Sequence, residues 1–571
     1  MLTPNEIQRE NRMRWLWVFF ALLPFISIPI LGSLFYFRHD DCAILLWAKE
    51  FTKPFYFAFS NDSNVNEYYK YPGMGAYWRP CIYFYVKLLW FLFGANPTPY
   101  FIVGGILFMI AVYFLFKIGE SISGTGLAFL SCLFLFVTFQ NMMYNLFHLT
   151  TEVAFFYQLG MIYFFLAFLK KEKWTDLIGV IVFLVPAMAR QTTPVILTAI
   201  LIVTALTQDA KIKFLSIKYA IILIILLIGF YIITFSPVTS SGSIFSVFPD
   251  IPRMGSFIYE RFLYYGTILT SGIVGMIIVP VFTFGFMHHF AAVIEDKLFF
   301  RFFNKRAWFV LAILMVVLLL LFKNISIYWL SFCILYLFMF NEKLRLPLGW
   351  AGASLLSFLS AGYYHNGYLL EAGFPLSLAL GTIVTNIAAP YRPLFFTIRQ
   401  KIPRQKLMLI VGCILIGCFV VIGIGSRSNY LQGKFEVIDV ISIAIDSNHN
   451  FKQLMDYLQH KIPQNAAIYE LSEEEIGTTL FDRRFFPLRE RALRTKVMNI
   501  EDTLVTLKVL NRGDIHLYPS SELDLSTHGG EKYFIVLNNF ERKMAEDKFQ
   551  LELIKEFKTN LDSAAAYRIM R

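Results

Sequence analysis

Two aspartates stand side by side at Asp40-Asp41, just past an apolar run, and about forty residues later Arg79 lies between Trp78 and Pro80. A carboxylate of ordinary pKa, near ~4, is ionised at neutral pH and can take a proton from an attacking hydroxyl or amine. An arginine holds phosphate through paired N–H donors, and the following proline biases Arg79 toward extended backbone. The stretch between them is rich in aromatic and amide side chains, from Trp47 and Tyr56 through Asn61, Asn64 and Tyr69 to Tyr77. Together these groups suit a site that handles a sugar and a phosphate at a membrane face. Each also has a plainer reading: acids that end a helix and meet lipid headgroups, and an arginine that anchors at the interface.

Three further groups share this chemistry. The segment QNMMYNLFHLTTE, Gln140 to Glu152, sets His148 and Glu152 among amides; Glu152 equally suits a helix start, where the dipole favours an acid. Arg190 breaks a short turn before Pro194 between two apolar runs, a place where an ionisable residue is functional by default and is expected to meet an anion. The segment GYYHNGYLLE gathers His365, Tyr368 and Glu371 with tyrosines that also fit an interfacial belt. The six cysteines form no CxxC pair and no zinc-site spacing. Cys42 and Cys81 follow Asp41 and Pro80; a disulfide between them would close a loop of about 40 residues, and the alternative is that both are small apolar fillers at helix starts.

The elements that position these residues follow from composition. The chain has 571 residues, 57% hydrophobic and 16% charged, with a mean hydropathy of +0.57, far more apolar than a soluble domain. It is read as an integral membrane protein. The net charge of +11 does not point to nucleic acid, because the basic residues sit mainly in short links between apolar runs. Arg9, Arg12 and Arg14 precede a run from Trp15 to Tyr36, about 22 residues and so of spanning length. This places the N-terminus in the cytoplasm and Asp40-Asp41 outside. The run Cys81–Gly94 has about 14 residues, short for a span, and is assigned to the outer surface, as is a short helix at Ala43–Phe51.

Further spans are read at Pro99–Ile118, Gly124–Phe139, Val153–Leu169, Trp174–Met188, Pro194–Leu206, Ser216–Phe235, Phe262–Phe286, Trp308–Phe322, Ile325–Phe340, Leu346–Ala361, Tyr368–Ala388 and Leu407–Gly425, about thirteen in all. Alternate links then carry the lysines and arginines, as the positive-inside bias requires; Ser236–Arg261 fits less well, with Arg253 and Arg261 beside Asp250 and Glu260. After Gly425 the composition turns polar. The fold class is therefore an all-α polytopic membrane domain over 1–425, with surface helices in the first outer loop, plus a C-terminal soluble α/β domain over 426–571 outside the membrane. In that domain strands are expected at Phe435–Ile443, Ala466–Leu471 and Lys532–Leu537, with helices near Phe451–His460 and at Asn539–Phe557.

At these residues the chain resembles the GT-C superfamily of membrane glycosyltransferases, most closely the branch of protein O-mannosyltransferases and the lipid A aminoarabinose transferase. The resemblance covers roughly the first 400 residues. It rests on Asp40-Asp41 after the first span, the surface helices of the first outer loop, and Tyr-x-Arg-Pro at Tyr77–Pro80 before an apolar helix ending in Phe93-Gly94. It also rests on Glu152 at the head of the fourth span, Arg190 where members carry Lys or Arg, and Tyr-Leu-Leu at Tyr368–Leu370. One departure is Gly367, where related members often carry an arginine, with His365 nearby. No WWD-type motif of oligosaccharyltransferases is present.

The resemblance implies a sugar carried on a polyprenyl phosphate, inversion at the anomeric centre, and a loop acid as base. The expected roles are Asp40 as base, Asp41 as supporting acid or acceptor contact, and Glu152 as a second acidic contact. Arg79 and Arg190 meet the phosphate, and Tyr77, His148, His365 and Tyr368 bind substrate. No cofactor is required, and a divalent metal, though compatible, is not indicated. Expected partners are the donor, a lipid, glycan or protein acceptor, and the lipids of the plasma (inner) membrane. A polytopic lipid or polysaccharide transporter is the alternative; it would show internal repeats and interrupted helices with mid-membrane polar residues, whereas the polar residues here gather at the outer ends.

Overall fold

The computed structural model describes residues 4–32, 45, 48–49, 80–139, 151–171, 173–187, 192–207, 221–222, 225, 251–270, 272–295, 313–317, 319, 323–359, 368–389, 438–471, 507, 510, 512, 514–523, 531–537, 539–558 and 563–570. The described part is mostly helical, with a small C-terminal sheet. Among the described residues, four helical stretches are long and apolar enough to cross a membrane: Pro97–Ile122, Glu152–Lys171, Val274–Ala291 and Leu369–Ala388. Shorter apolar helices accompany them. The spans expected at Ser216–Phe235 and Trp308–Phe322 lie mostly, and Leu407–Gly425 wholly, outside the described residues.

The first span is not one straight helix. α1, Pro4–Leu22, gives way to a 3-10 turn at Leu23–Ile26, and α2, Ser27–Gly32, follows. Pro24 removes a helical N–H at the break, and the Ser27 hydroxyl donates to the carbonyl of Pro24 at 2.6 Å. α3, Pro80–Phe93, agrees with the short apolar run; its 14 residues reach about 21 Å, less than the hydrocarbon core. Gly94 ends it with a φ of 58° and an N–H bonded to the carbonyl of Trp90, a left-handed stop that glycine adopts without a Cβ clash. Asn96 then caps α4, Pro97–Ser123, by accepting from the Thr98 N–H.

α5, Thr125–Phe139, α6, Thr151–Lys171, α7, Trp174–Ala187, and α8, Thr193–Thr207, fall where hydropathy placed them. Small residues let these helices approach closely, as membrane helix pairs require. The Phe183 ring of α7 occupies the space over Gly160 of α6, and the Phe164 ring of α6 that over Gly179 of α7. The run Phe262–Phe286, expected as one span, is two helices: α9, Ile251–Thr270, and α10, Gly272–Glu295. Hydropathy runs unbroken across the junction, but Gly275 packs directly on the backbone carbonyl of Thr270, a contact only a residue without Cβ can make. The chain therefore turns where a hydropathy window reads continuity.

α11, Lys323–Phe340, and α12, Glu342–Leu359, lead to α13, Tyr368–Ala388, whose bounds are those expected. α13 is buried from Leu369 through Ile383 and packs against α5, α10 and α12. Over Gly373 and Gly381 lie Phe139, Leu127 and Ser131 of α5. Its hydroxyls return to their own helix, Ser377 to the carbonyl of Gly373 and Thr382 to that of Leu378, so only Glu371 brings a charge into its buried length. At the far end of the bundle Glu120 of α4 accepts from Arg14 at 2.5 Å and Lys117 at 2.6 Å, and Lys170 of α6 reaches the carbonyl of Ser121 at 2.8 Å. Basic residues of α1, α4 and α6 thus meet at one end.

The C-terminal part begins with α14, Ile438–Lys461, where Phe435–Ile443 had read as a strand. β1, Ala467–Glu470, β2, His516–Pro519, β3, Lys532–Val536, β4, Leu551–Lys558, and β5, Ser563–Ile569, form one sheet in the order β2-β1-β3-β5-β4, and α15, Asn539–Lys548, precedes β4. β1 pairs parallel with β2 and β3, and β5 antiparallel with β3 and β4. The helix expected over Asn539–Phe557 therefore stops at Lys548. Its second half, LELIKEFK, is rich in helix formers yet becomes a strand by pairing with β5, whose alanines are likewise helix formers held extended and buried by the sheet.

Arg512 locks the end of α14: its guanidinium donates to the carbonyls of Leu458, Gln459, Ile462 and Pro463 and to the Asp514 carboxylate. Arg512→Ala is expected to destabilise this part by roughly 1.5–3 kcal/mol, the scale for bonds to a charged group, read as faster hydrogen exchange over the last turn of α14. Hydrogen bonds from Arg512 hold the Asp514 carboxyl below its ordinary range. Its stabilising contribution is therefore complete above the unfolded pKa and fades as pH falls toward the lowered native value.

Candidate functional site

Of the residues singled out from sequence, Asp40, Asp41, Tyr77, Arg79, His148, Arg190 and His365 lie outside the described residues. Tyr368 opens α13. Glu152 is described in detail, and what surrounds it connects the elements that flank the others.

Glu152 lies in the first turn of α6 and is only 2% exposed. Its carboxyl lies against Gly104 of α4; a Cβ there would stand 3.2 Å from the carboxyl carbon and 3.4 Å from Oε1. The next residue, Gly105, receives Pro29 of α2, whose backbone would be 2.8 Å from a Cβ. The double glycine of α4 therefore brings two things to one level of the bundle: the Glu152 carboxyl, and the short helix whose chain continues to Asp40-Asp41. Gly104→Ala is expected to push the carboxyl by a few tenths of an ångström, and Gly104→Val to displace it. Turnover should fall in the order Gly, Ala, Val, with about 1–3 kcal/mol of overpacking cost for valine, measured by activity and thermal melting together.

α3 closes on the same place. Burial first, then the nearby Glu152 carboxylate, push the Tyr85 phenol of α3 upward. Tyr100 of α4 donates to the carbonyl of Gly94 at 2.7 Å, fixing the end of α3. Lys87, the charge that interrupts this apolar helix, donates to the carbonyl of Ala48 at 2.6 Å and so ties the two parts of the first loop together. Cys81 carries a free thiol, held up at about 11 by burial. Cys42, its partner in the pairing weighed from sequence, lies outside the described residues.

One turn deeper, Phe155 of α6 meets Phe374 of α13 with ring centroids 5.1 Å apart, and Phe108 of α4 approaches both. Glu152 precedes Phe155 by three residues, Glu371 precedes Phe374 by three, and Gly104 precedes Phe108 by four, so each lies on the same helix face as its ring. Glu371, 1% exposed, accepts from the Gln158 amide at 2.7 Å and from the Thr192 hydroxyl. Sequence reading noticed Glu371 only as a loop-end acid and passed over Gln158, Thr192 and Thr193; a glutamate inside an otherwise apolar span was the available signal. From Gly104 to Glu120 along α4 is about 24 Å, and from Glu152 to Lys170 along α6 about 27 Å. The acid level and the basic cluster are thus nearly one hydrocarbon thickness apart.

Among the described residues no three His, Cys, Asp or Glu side chains gather as a metal site.

No family profile matches the chain, and no curated protein matches it. Among solved structures it is similar to ArnT from Cupriavidus metallidurans bound to undecaprenyl phosphate, at 10% identity over 96% of this chain and 97% of that chain, with a TM-score of 0.40. It is also similar to the apo state of the same protein, at 11% identity over the same shares, with a TM-score of 0.38.

Proposed function

We propose that the protein is a polytopic membrane glycosyltransferase that moves one sugar from a polyprenyl-phosphate donor to a lipid, glycan or protein acceptor at the outer face of the plasma (inner) membrane. The observation that carries this reading is the burial of the Glu152 carboxyl beside Gly104, at the level where α2 and α3 bring in the first loop. About thirteen spans, a cytoplasmic N-terminus and an outer C-terminal domain over 426–571 complete the proposal. The basic cluster of Arg14, Lys117 and Lys170 at the opposite end supports that orientation.

In the reaction an acceptor oxygen or nitrogen attacks the anomeric carbon, the bond from that carbon to the phosphate oxygen breaks, and configuration inverts. Asp40 takes the acceptor's proton, with Asp41 supporting it and Glu152 as a second acidic contact. The phosphate leaves as an anion and needs electrostatic stabilisation rather than a proton; Arg79 and Arg190 supply it. Tyr77, His148, His365 and Tyr368 contact the substrates. The scheme requires no divalent metal.

Mass spectrometry of lipid-linked sugars and envelope glycans, with and without the gene, tests the proposal. Loss of the gene should leave a polyprenyl-phosphate monosaccharide to accumulate while one glycan modification disappears. Unchanged lipid-linked sugars and glycans would overturn it. Undecaprenyl phosphate, the ligand of one ArnT structure, is of the carrier class proposed here and serves as the binding probe.

A further inference from the structure

Three elements far apart in sequence meet on one oxygen of Glu371. Its Oε1 accepts from Gln158 Nε2 of α6 at 2.7 Å and from the hydroxyl of Thr192, which immediately precedes α8. The Gln158 amide also lies 3.1 Å from Thr192 Oγ1 and 3.4 Å from Thr193 Oγ1, and the Thr193 hydroxyl donates to the carbonyl of Ala187 at the end of α7 at 2.8 Å. Gln158, Thr193 and Glu371 are all buried.

We propose that Glu371 is a positioning residue for the reaction: it sets the register of α13 and of the start of α8 against α6, and thereby the level at which α13 stands beside Glu152. The inference rests on the glycosyltransferase reading and deepens it. Glu371 lies in the first turn of α13, and Glu152 lies about 9 Å along α6 from Gln158. Apolar contacts alone fix axial register poorly, because dispersion is non-directional and lipid is as apolar as the helix faces. Directional hydrogen bonds fix it well. An ionisable side chain inside a span is costly, and its neighbours Leu369, Leu370, Ala372 and Phe374 are apolar and buried. A leucine at 371 would pack there without that cost but would leave Gln158 and Thr192 without this common acceptor.

The test compares Glu371→Gln with the double variant Glu371→Leu/Gln158→Leu in the full chain. Glutamine keeps an oxygen that accepts from both partners, so kcat/KM for the donor should stay within about threefold of wild type. The double variant removes the Gln158 donor and the Glu371 acceptor together, and its size-exclusion profile and thermal midpoint, measured beside wild type, show whether it folds. Its kcat/KM should fall on the order of 100-fold, the scale of a misplacement of about 1 Å. Amide exchange should quicken in the first turns of α8 and α13 and nowhere else. Wild-type kcat/KM in the double variant, or equal losses in both variants, would overturn the positioning role. If wild-type protein transfers no sugar from any polyprenyl-phosphate donor, the glycosyltransferase reading itself fails; unchanged exchange in the double variant overturns the register-setting role whatever the activity.

Discussion

Asp40→Asn is expected to lose sugar transfer by a factor on the order of 10²–10⁴, the scale for removing a general base, while expression and melting temperature stay at wild-type levels. The amide has the size of the carboxylate but cannot take the acceptor's proton. A stability change is not expected, because the substitution keeps the size and shape of the side chain. Asp41→Asn should cost less, since Asp41 supports rather than accepts. Purified Asp40→Asn protein turning over at the wild-type rate would move the base elsewhere, with Glu152 the first alternative. That alternative predicts a different pattern: Glu152 is buried against Gly104, so Glu152→Gln and Gly104→Val would then impair turnover to similar extents.

Replacing either phosphate-binding arginine should come next in size. Arg79→Ala and Arg190→Ala are each expected to lower turnover about 10²–10³-fold, as when one stabilising donor is removed from a developing anion, and to weaken binding of undecaprenyl phosphate. Lysine at either position should recover only part of the loss, because a point charge lacks the paired geometry of guanidinium. The two positions belong to different stretches of the chain. Arg79 immediately precedes α3, and Arg190 lies in the link between α7 and α8, two residues before the Thr192 that Glu371 holds. A binding titration in which both alanine variants retain wild-type affinity would remove the phosphate role from both.

Helix positions were legible wherever apolar length and a clear terminator coincided. α3 ends at Gly94 as its sequence suggests, and α13 has its expected bounds because Tyr368 and Ala388 limit a run broken only by Glu371. Legibility failed where pattern was neutral. The turn between α9 and α10 depends on Gly275 meeting the backbone of Thr270, a contact that leaves no mark in hydropathy. β4 and β5 carry charged and alanine-rich sequence with helical preference, and only mutual pairing makes them strands.

For the site, residue types were enough to select Glu152 as an acid at a helix start and to suggest its chemistry, because an ionisable group among apolar ones stands out by composition alone. Which groups surround it was beyond sequence. Gly104, Tyr85 and Gln158 are ordinary residues in their own helices, and none has a local pattern that announces a partner. They gain meaning only when α3, α4, α6 and α13 pack side by side. The sequence by itself determined a chain of long apolar helices broken by few charges, since apolar length and the cost of charge in lipid are properties of short segments. The tertiary structure decided that Glu152 lies over Gly104 and that Glu371 joins α6 to the start of α8, because such contacts arise between segments that chain order keeps far apart.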